Sequence, residues 1–513
     1  MRRLRGAQRI VAAALTLLVS AVAVFIAAGT VYAVLLLVFG YHVSTTPAAA
    51  RVAPATFKAL ADDAAETLTT RFYAGAGRWY ACLDASCGAG NVDWAADSLT
   101  AIAYERRLLT HDETLVSLLR ELEQTEPAYG GCRQPRCTAW SDVPMWDAVA
   151  AVRTYDATRD GKALTNAEAA YRFIASSDVF ARGACPEIDY QRPHAESGGL
   201  KTLETDANRT LAAALLAERL KRSDYLEDAT RRYAAVRKWF LDPELPLYTV
   251  YVFDDGHTCR ALPHRFFASV NGVMIEAGLV LARVTGERRY GEEARATARA
   301  IRALDDDRGV FTDLQAENDV VQPLVFAMLL LARDGESSAR DWIVRNAAAA
   351  AHARRATDGA YGRFFDGPPP SGVVTAWQAN GALALMIAAG ALAPNERPEA
   401  NDPWPATPSQ PLAITSLPQT FRFTGSAIAL RGTLGERCCE LGRARLLIDG
   451  REPVDRTGIW QNKSSAGKAL SDTLLFAWRW RTSGPHQLRF EPDAPNAKEG
   501  GPFIDLRSAL VVP

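Results

Sequence analysis

The sequence predicts a mainly α-helical protein: an (α/α)6 toroid of six helical hairpins, with a C-terminal β-sandwich and an N-terminal transmembrane helix. Twelve stretches between about residues 56 and 390 carry apolar residues at i, i+3 and i+4, the spacing of an amphipathic helix. The links between them alternate in length. Short links force antiparallel neighbours, so the long links emerge together at one end, where a closed ring would have its cleft. The short links are 109–111, 159–161, 221–224, 285–288 and 333–337, and the long links are about 73–93, 126–141, 178–201, 241–264, 305–316 and 354–373.

The N-terminus has the composition of a membrane anchor. Four arginines in the first nine residues precede the 34 residues Ile10–Val43, which contain no Asp, Glu, Lys or Arg. A bilayer-spanning helix needs about 20 apolar residues, and the apolar part of a cleaved signal peptide has only about 7–15. Because the arginines lie on one side, we expect a single-pass anchor with a cytoplasmic N-terminus and the bulk of the chain extracytoplasmic. Cleavage within 47–55 is the alternative.

The chain divides into five segments by composition and periodicity. Residues 1–43 are the arginine cluster and anchor, and 44–54 form a short stem. The helical domain covers 55–393, and 394–411 is a Pro-rich linker. In 412–513 the hydrophobic period changes from 3.6 to about 2, with Gly, Asp and Pro between short apolar runs, which predicts a β-sandwich.

Cysteine usage agrees with export, because an oxidising compartment favours disulfides. Six of the eight cysteines fall in the long links of the helical domain. The spacing favours the pairs Cys82–Cys87, Cys132–Cys137 and Cys185–Cys259. Zinc binding is the rival interpretation of close cysteine pairs, but the four-residue gap is wider than the usual two. We expect no metal and no cofactor. The adjacent Cys438 and Cys439 are left unassigned.

The charge balance excludes one class of partner. The formal net charge is −1, and no basic block occurs outside the first nine residues. Nucleic-acid binding normally needs a concentrated basic face, so we expect no nucleic-acid partner.

Several segments of the helical domain resemble one family of enzymes. They are Trp146–Asp160, Phe267–Leu279, Asp358–Gly362 and Trp377–Gln378. These segments resemble the family-76 glycoside hydrolases, the endo-α-1,6-mannanases, over about 340 residues. The resemblance implies an (α/α)6 domain that cleaves a cell-envelope or extracellular glycan, with α-mannan as the implied substrate.

In that family, two adjacent aspartates open the second inner helix, one as nucleophile and one as acid/base. Here the pair falls on Asp142 and Val143, so only the first carboxylate is kept. Asp142 stands just before Pro144, a residue favoured at the first helical position, and so lies at a helix N-terminus, where the macrodipole favours its ionised form. We expect Asp142 to act as nucleophile or base. The alternative, that it only caps the helix, is compatible with this role.

Glycoside cleavage ordinarily uses two carboxyl groups, so a replacement acid has to come from another long link. The third and fourth long links supply the candidates: Glu187, Asp189, Glu196, Asp254 and Asp255. We favour Glu196, Asp254 and Asp255. The run Asp254-Asp255-Gly256 also has the composition of a simple turn.

Aromatic and amide side chains at the starts of inner helices could hold sugar rings, since flat apolar faces and hydrogen-bonding groups together suit pyranoses. The candidates are Asp93, Trp94, Trp146, Phe267, Asn271, Trp377 and Gln378. A single Trp is as readily a core residue.

Three functions from different classes follow from these features. The first is a membrane-anchored extracytoplasmic glycoside hydrolase. The second is a non-catalytic glycan-binding protein that kept the cleft and lost the acid at Val143. A structural envelope protein with a vestigial cleft is the third reading. The presence of a second carboxyl group near Asp142 separates the first two.

Overall fold

The architecture below is that of a computed structural model. The structure describes residues 55–85, 87, 93–125, 140–176, 180–312, 319–399, 401, 403–406, 410–412, 417–436, 444–453, 464, 466, 468–492 and 505–513. The N-terminal anchor and stem, Cys132, Cys137, Cys438 and Cys439 lie outside these residues.

Twelve α-helices occur in the described part of the chain. In chain order they are α1 Phe57–Thr67, α2 Asp93–Thr110, α3 Thr114–Thr125, α4 Asp142–Thr158, α5 Gly161–Ala175, α6 Leu203–Leu220, α7 Ser223–Phe240, α8 Ala268–Thr285, α9 Arg288–Ala300, α10 Gln322–Arg333, α11 Ser337–His352 and α12 Ala376–Leu392. A π-helical turn continues α1 over Leu68–Phe72, and short 3-10 turns occur at Leu83–Ala85, His194–Glu196 and Ile301–Leu304.

The even-numbered helices form a closed inner ring. Each packs on the next, from α2 through α4, α6, α8 and α10 to α12, and α12 packs on α2. The odd-numbered helices stand outside, each against its inner partner, and the first helix pairs with the last. The predicted six-hairpin toroid is therefore confirmed. The inner helices all begin at the end that carries the long links, which we call the long-loop end.

The short links reverse the chain by one residue of left-handed backbone. Arg159, Lys221 and Gly286 follow α4, α6 and α8 with φ of 57°, 56° and 77°, and each donates its N–H to the carbonyl four residues back. This single 5→1 bond ends the helix and turns the chain. The next helix starts within three residues, so the two helices must lie antiparallel.

The inner helices are apolar on nearly every side because the ring surrounds them. The helix α12 contains no charged residue, and all of its residues from Ala376 to Ala389 are buried. Among the described residues, α8 is the one helix long and apolar enough to cross a membrane, and 72% of its span is buried within the protein. Burial on all faces explains an apolar helix in a ring of this kind.

The ring closes between the two ends of the helical domain. The N–H groups of Phe57 and Lys58, at the start of α1, donate to the carbonyls of Glu396 and Pro394, just after α12. Two of the N–H groups that every helix start leaves without an intrahelical partner are satisfied in this way.

Two small sheets and one larger sheet accompany the helices. The strands are β1 Tyr73–Gly75, β2 Arg78–Trp79, β3 Leu200–Thr202, β4 Tyr251–Asp254, β5 Cys259–Ala261, β6 Gln410–Pro411, β7 Gln419–Leu434, β8 Ala444–Ile448, β9 Leu470–Pro492 and β10 Leu506–Val512. The third and fourth long links contribute an antiparallel sheet in the order β3-β4-β5 at the long-loop end.

The C-terminal strands form a single five-stranded antiparallel sheet in the order β6-β10-β7-β9-β8, within the residues that the structure describes. In place of the predicted β-sandwich of two sheets, the described residues of this region form one sheet. One face carries its own apolar core, which includes Ile428, Leu430 and Phe476. The other face packs Ala429 and its neighbours against Phe364 of the helical domain. The long strands thus use both faces, one of them to attach the sheet to the toroid.

A buried ion pair fixes that attachment. The Arg479 guanidinium of β9 lies 2.9 Å from a carboxylate oxygen of Asp366, which belongs to the sixth long link. The Asp366 carbonyl accepts from Trp404 Nε1 at 3.1 Å, so the linker is bound at the same point. These contacts indicate a supporting role for the sheet.

Both cysteine pairs that lie within the described residues are present as predicted, Cys82–Cys87 and Cys185–Cys259. The second joins the third and fourth long links across 74 residues of sequence. The one group of His, Cys, Asp or Glu side chains close enough to share a metal ion in the described regions is Cys185, Asp254 and Cys259. Because its two sulfurs form the disulfide, they are not thiolate ligands.

Candidate active site

The predicted position of Asp142 is confirmed, since it is the first residue of α4 and is buried. The preceding residue holds it in place. Ser141 Oγ lies 2.6 Å from Thr205 Oγ1 in the next inner helix and donates to the Tyr190 carbonyl at 2.7 Å. The Ser141 N–H donates to the Gln191 carbonyl at 2.9 Å. The starts of α4 and α6 are thus joined by direct hydrogen bonds.

This junction brings a second carboxyl group into electrostatic reach of Asp142. Glu204 is the second residue of α6 and is buried. Burial raises the pKa of Glu204 well above its usual range, and the charges of Asp142 and then Asp319 raise that pKa further. Both effects favour the protonated form of the carboxyl group. Glu204 was not among the acids predicted from sequence.

The third acidic side chain, Asp319, has a structural role as well. It precedes α10, and its carboxylate accepts from the N–H groups of Ala268 at 2.5 Å and Ser269 at 3.3 Å, at the start of α8. It also accepts from the Val320 N–H at 2.8 Å. Hydrogen bonds from backbone N–H groups favour the charged form of a carboxylate. Asp319 therefore joins two inner helices and contributes a fixed negative charge near Glu204.

Both carboxyl groups lie in the first turn of a helix. A helix N-terminus stabilises negative charge by about 0.3–1 kcal/mol, up to ~2 kcal/mol when partly buried. For Glu204 this is outweighed, because the net direction of its pKa shift is upward. Two carboxyl groups at adjacent inner-helix starts, one of them with a raised pKa, are the groups that an acid/base pair requires.

The acids predicted from the exposed parts of the long links form ion pairs at the surface. Glu196 ends a 3-10 turn and pairs with Arg192 at 2.8 Å, and Glu187 pairs with Lys238 at 2.8 Å. The hydrogen bond from Lys238 lowers the pKa of Glu187. Exposed ion pairs of this kind are surface features. The role of Glu196 as the acid stays a prediction, and its pairing with Arg192 does not support it.

Asp254 and Asp255 are corrected for a different reason. Asp254 accepts from the N–H groups of Ala184 and Gly256 at 3.0 and 2.8 Å and lies 3.7 Å from Lys201 Nζ. Its pKa is lowered, since these groups outweigh the effect of burial. Asp255 accepts from the N–H groups that follow it in an exposed turn, which lowers its pKa as well. A general acid needs a raised pKa, so neither suits that role.

Asp189 belongs to a buried ion network. Its carboxylate lies 2.9 Å from Arg209 and 3.0 Å from Arg232. Arg232 also contacts Asp206 at 2.8 Å, and Asp206 in turn accepts from the Asp189 N–H at 2.9 Å. The network joins the third long link to α6 and α7 and so fixes the link that leads into Glu204.

The side chains predicted to bind sugar lie at inner-helix starts, but several are committed to the fold. Asn271 is fully buried, its oxygen accepts from the Tyr248 N–H at 2.9 Å, and its amide donates to the carbonyls of Tyr248 and Phe267. Because these hydrogen bonds engage both the oxygen and the amide nitrogen, the predicted role of Asn271 in sugar binding is corrected to a structural one. Gln378 completes a capping box with Thr375.

Three of the four predicted aromatic residues pack in the core. Phe267 and Trp146 belong to one apolar cluster and Trp377 to another. Asp93 and Trp94 open α2 as predicted. Contact of these residues with a sugar stays a prediction.

Glu204 was missed because the search for an acid was confined to the long links. The signal that could have found it is the position of Asp142 itself. Asp142 stands in the first turn of one inner helix, and the first turn of the next inner helix contains Glu204 and Asp206. Applying one positional rule to every inner helix would have listed both.

A buried lysine holds the loops around the site. Lys201 has no exposed surface, and its Nζ donates to the carbonyls of Arg182, Cys185 and Ile188 at 2.7, 3.0 and 2.8 Å. Burial lowers the pKa of Lys201, opposed by the charges of Asp206 and Asp254. The ammonium group thus donates its three hydrogens to three carbonyls of the third long link.

Replacing Lys201 by methionine should destabilise the protein by about 3–5 kcal/mol, because three carbonyls and one carboxylate lose their buried partner. Thermal unfolding of the variant measures this. Lys238→Met is the matched control, since Lys238 is an exposed lysine paired with Glu187 and should shift the midpoint little. Equal midpoints for the two variants would show that Lys201 is dispensable.

A six-hairpin toroid with two carboxyl groups at adjacent inner-helix starts is a glycosidase-like scaffold, and comparison with solved structures agrees. The GH76A α-1,6-mannanase from Salegentibacter sp. HEL1_6 superposes with a TM-score of 0.58 at 19% identity, covering 66% of this chain and 99% of that one. An inactive variant of that enzyme, with two consecutive aspartates replaced by alanine, is in complex with α-1,6-mannotetrose; it matches with a TM-score of 0.57 at 20% identity, covering 66% and 100%.

A third similar structure is Dfg5 from Chaetomium thermophilum in complex with glucosamine, with a TM-score of 0.54 at 15% identity, covering 67% of this chain and 92% of that one. No family model matches the chain, and no curated protein matches its sequence. The helical domain therefore has the fold of the family-76 glycoside hydrolases, as the sequence resemblance predicts.

Proposed function

We propose that this protein is a membrane-anchored extracytoplasmic glycoside hydrolase that acts on an α-mannan or a related cell-envelope or extracellular glycan. The observation that carries the proposal is the pair formed by Asp142 and Glu204. Both are buried at the starts of adjacent inner helices that the Ser141–Thr205 hydrogen bond joins, and the raised pKa of Glu204 suits the acid of such a pair. The complexes of similar structures with mannooligosaccharides support the choice of substrate.

In the proposed reaction, Glu204 gives its proton to the glycosidic oxygen as the bond from that oxygen to the anomeric carbon breaks. Asp142 acts on the opposite face of the sugar. It either removes a proton from the attacking water or bonds to the anomeric carbon itself. In the second case, water later cleaves the ester and returns a proton to Glu204. The anomeric form of the first product distinguishes the two courses.

Location outside the cytoplasm is part of the same proposal. The uncharged segment Ile10–Val43 behind an arginine cluster supports the anchor. The pairs Cys82–Cys87 and Cys185–Cys259 support an oxidising compartment.

A second candidate function rests on one observation. Val143 is buried and apolar where the sequence resemblance places the second aspartate. A glycan-binding protein that lost this carboxylate would keep the scaffold without turnover. Under that reading, Glu204 would contribute a hydrogen bond to a bound sugar and no proton transfer.

The test is incubation of the full chain with a glycan array and with α-1,6-mannooligosaccharides, followed by product analysis. Cleavage by the wild type that is absent in a double variant, Asp142→Asn with Glu204→Gln, supports the hydrolase. Retention of a glycan without products, equally in both proteins, supports the binding protein and rejects hydrolysis.

Asp319 supplies a further test through the pH profile. Its negative charge raises the pKa of Glu204, and Glu204 must be protonated to act as the acid. Activity should therefore fall as the pH rises through the pKa of Glu204. Asp319→Asn keeps an oxygen for the α8 cap and removes the charge, so the alkaline limb should move to lower pH. Measurement of kcat/KM against pH checks this; a limb that stays in place would remove Glu204 as the titrating acid.

A further inference from the structure

Among the described residues, the two exposed large hydrophobic side chains are Trp140 and Phe253, with 41% and 38% of their surface accessible. Apolar side chains of this size are normally buried or lie at binding surfaces. Both occur at the long-loop end, and each adjoins an element that carries a proposed catalytic carboxyl group. Trp140 is two residues before Asp142, and Phe253 pairs with the strand that leads into Glu204.

The segments that carry these two rings are neighbours in one hydrogen-bonded array. The Ser141 N–H donates to the Gln191 carbonyl at 2.9 Å, and the Gln191 N–H donates to the Leu200 carbonyl at 3.2 Å. Leu200 of β3 then stands opposite Phe253 of β4. Three steps between neighbouring chains, at about 4.8 Å each, give an upper limit of ~14 Å for the separation of the two segments. Both rings are therefore within reach of one glycan chain.

The sheet presents one face outward. Directly opposite residues share a face of a sheet, so Leu200, Phe253 and Arg260 lie on the same side. The other side carries Lys201 and Val252, which are buried. The outward face therefore combines an exposed ring with a half-buried leucine and an exposed guanidinium.

The surface is rigidly held, as a platform for a flexible chain needs to be. The Cys185–Cys259 disulfide closes one end of the sheet, and Lys201 binds three carbonyls beneath it. The Arg192 guanidinium carbon lies 5.2 Å from the centre of the Trp140 ring. A cation over the ring restricts its motion while two fifths of the side chain stay accessible.

We infer that Trp140 and Phe253 form an outer glycan-binding platform, where pyranose rings of an uncharged polysaccharide stack beyond the catalytic pair. The inference rests on the proposed function for its choice of ligand. Aromatic rings bind the apolar faces of sugars, and a surface continuous with both carboxyl-bearing segments is where a longer glycan would extend. The platform makes the protein favour long chains over short ones.

The test compares ligand lengths in the Asp142→Asn background, which prevents turnover. The full chain, in a detergent without a sugar headgroup, is titrated with α-1,6-mannobiose and with α-1,6-mannohexaose. Trp140→Ala and Phe253→Ala should each lower the affinity for the hexasaccharide about 2- to 10-fold. The affinity for the disaccharide should change less than about twofold. Phe253→Tyr should restore binding of the hexasaccharide.

Tyr155→Ala is the matched control. Tyr155 lies near the other end of α4 and also has an arginine over its ring, Arg159 at 5.5 Å, so its loss should alter neither affinity. Equal losses for both ligand lengths, or no loss for either, overturn the platform while the hydrolase proposal stands. A chain that retains neither oligosaccharide and no glycan on an array overturns both. Length-dependent losses in a protein that cleaves nothing would keep the platform and reject the hydrolase.

Discussion

Glu204→Gln should lower kcat by about 10²- to 10⁴-fold, the contribution usual for a positioned general acid. The substitution keeps size and hydrogen bonding and removes the proton that the leaving oxygen needs. Glu204 is buried, and the charge of Asp142 contributes to its raised pKa. Steady-state rates on an α-1,6-mannooligosaccharide provide the measurement, and substrates with a good leaving group should lose less activity.

The same variant has a stability signature that a damaged fold would not show. Because the folded pKa of Glu204 lies above its unfolded value, the folded state binds the extra proton between the two, and stability falls as the pH rises through that window. Glutamine does not titrate and escapes this loss. The midpoint of Glu204→Gln relative to wild type should therefore increase from pH 4 to pH 8. A variant that is inactive and less stable at both pH values would indicate misfolding.

Asp142→Asn should lower kcat by about 10³-fold, since the base or nucleophile loses its charge. It should also lower the pKa of Glu204, because the charge of Asp142 contributes to raising that pKa. Residual activity should thus show its alkaline limb at lower pH than in wild type. Asp255→Asn is the matched control, an exposed turn aspartate at the same end, and should retain full activity.

The outcome for Asp142→Asn also separates the two candidate functions. Loss of turnover with intact glycan binding establishes the hydrolase. A wild type that binds glycan without cleaving it, unchanged by the substitution, identifies Val143 as the mark of a lost activity. Asp142→Ala with added azide or formate provides a last check, since a small anion in the vacated carboxylate space would restore part of the rate if Asp142 is a nucleophile or base.

The toroid was predictable because periodicity and link length are local properties of the chain. The start of α4 at Asp142 followed from Pro144, and the Cys185–Cys259 pair from the placement of cysteines in adjacent links. The single C-terminal sheet was not predictable, because a period of two shows where strands lie and not how they pair.

The choice between Glu204 and Asp206 shows where sequence reasoning stops. Both stand in the first turn of α6, two residues apart and therefore about 200° apart around the helix. The charge of Asp142 acts on the first, and the second contacts Arg232 at 2.8 Å, with its pKa raised to about 7 by burial and by Asp189. Only the direction of each side chain within the ring separates an acid from an ion-pair partner, and that direction depends on how distant helices pack.

The hydrogen bonds from Phe57 and Lys58 to Glu396 and Pro394 have a consequence for how the chain is assembled. The last inner helix, α12, completes the ring. More than three hundred residues of the domain must therefore be synthesised before the apolar faces of the inner helices are shielded from water. Until then, the apolar flanks of α2 and α10 face an open gap. The order of synthesis thus makes ring closure a late, long-range event, of the kind that slows folding and creates a need for chaperones. The same hydrogen bonds show that the two ends of the domain are adjacent. A circular permutant, with these ends joined and a short link opened elsewhere, would therefore preserve every helix contact of the ring.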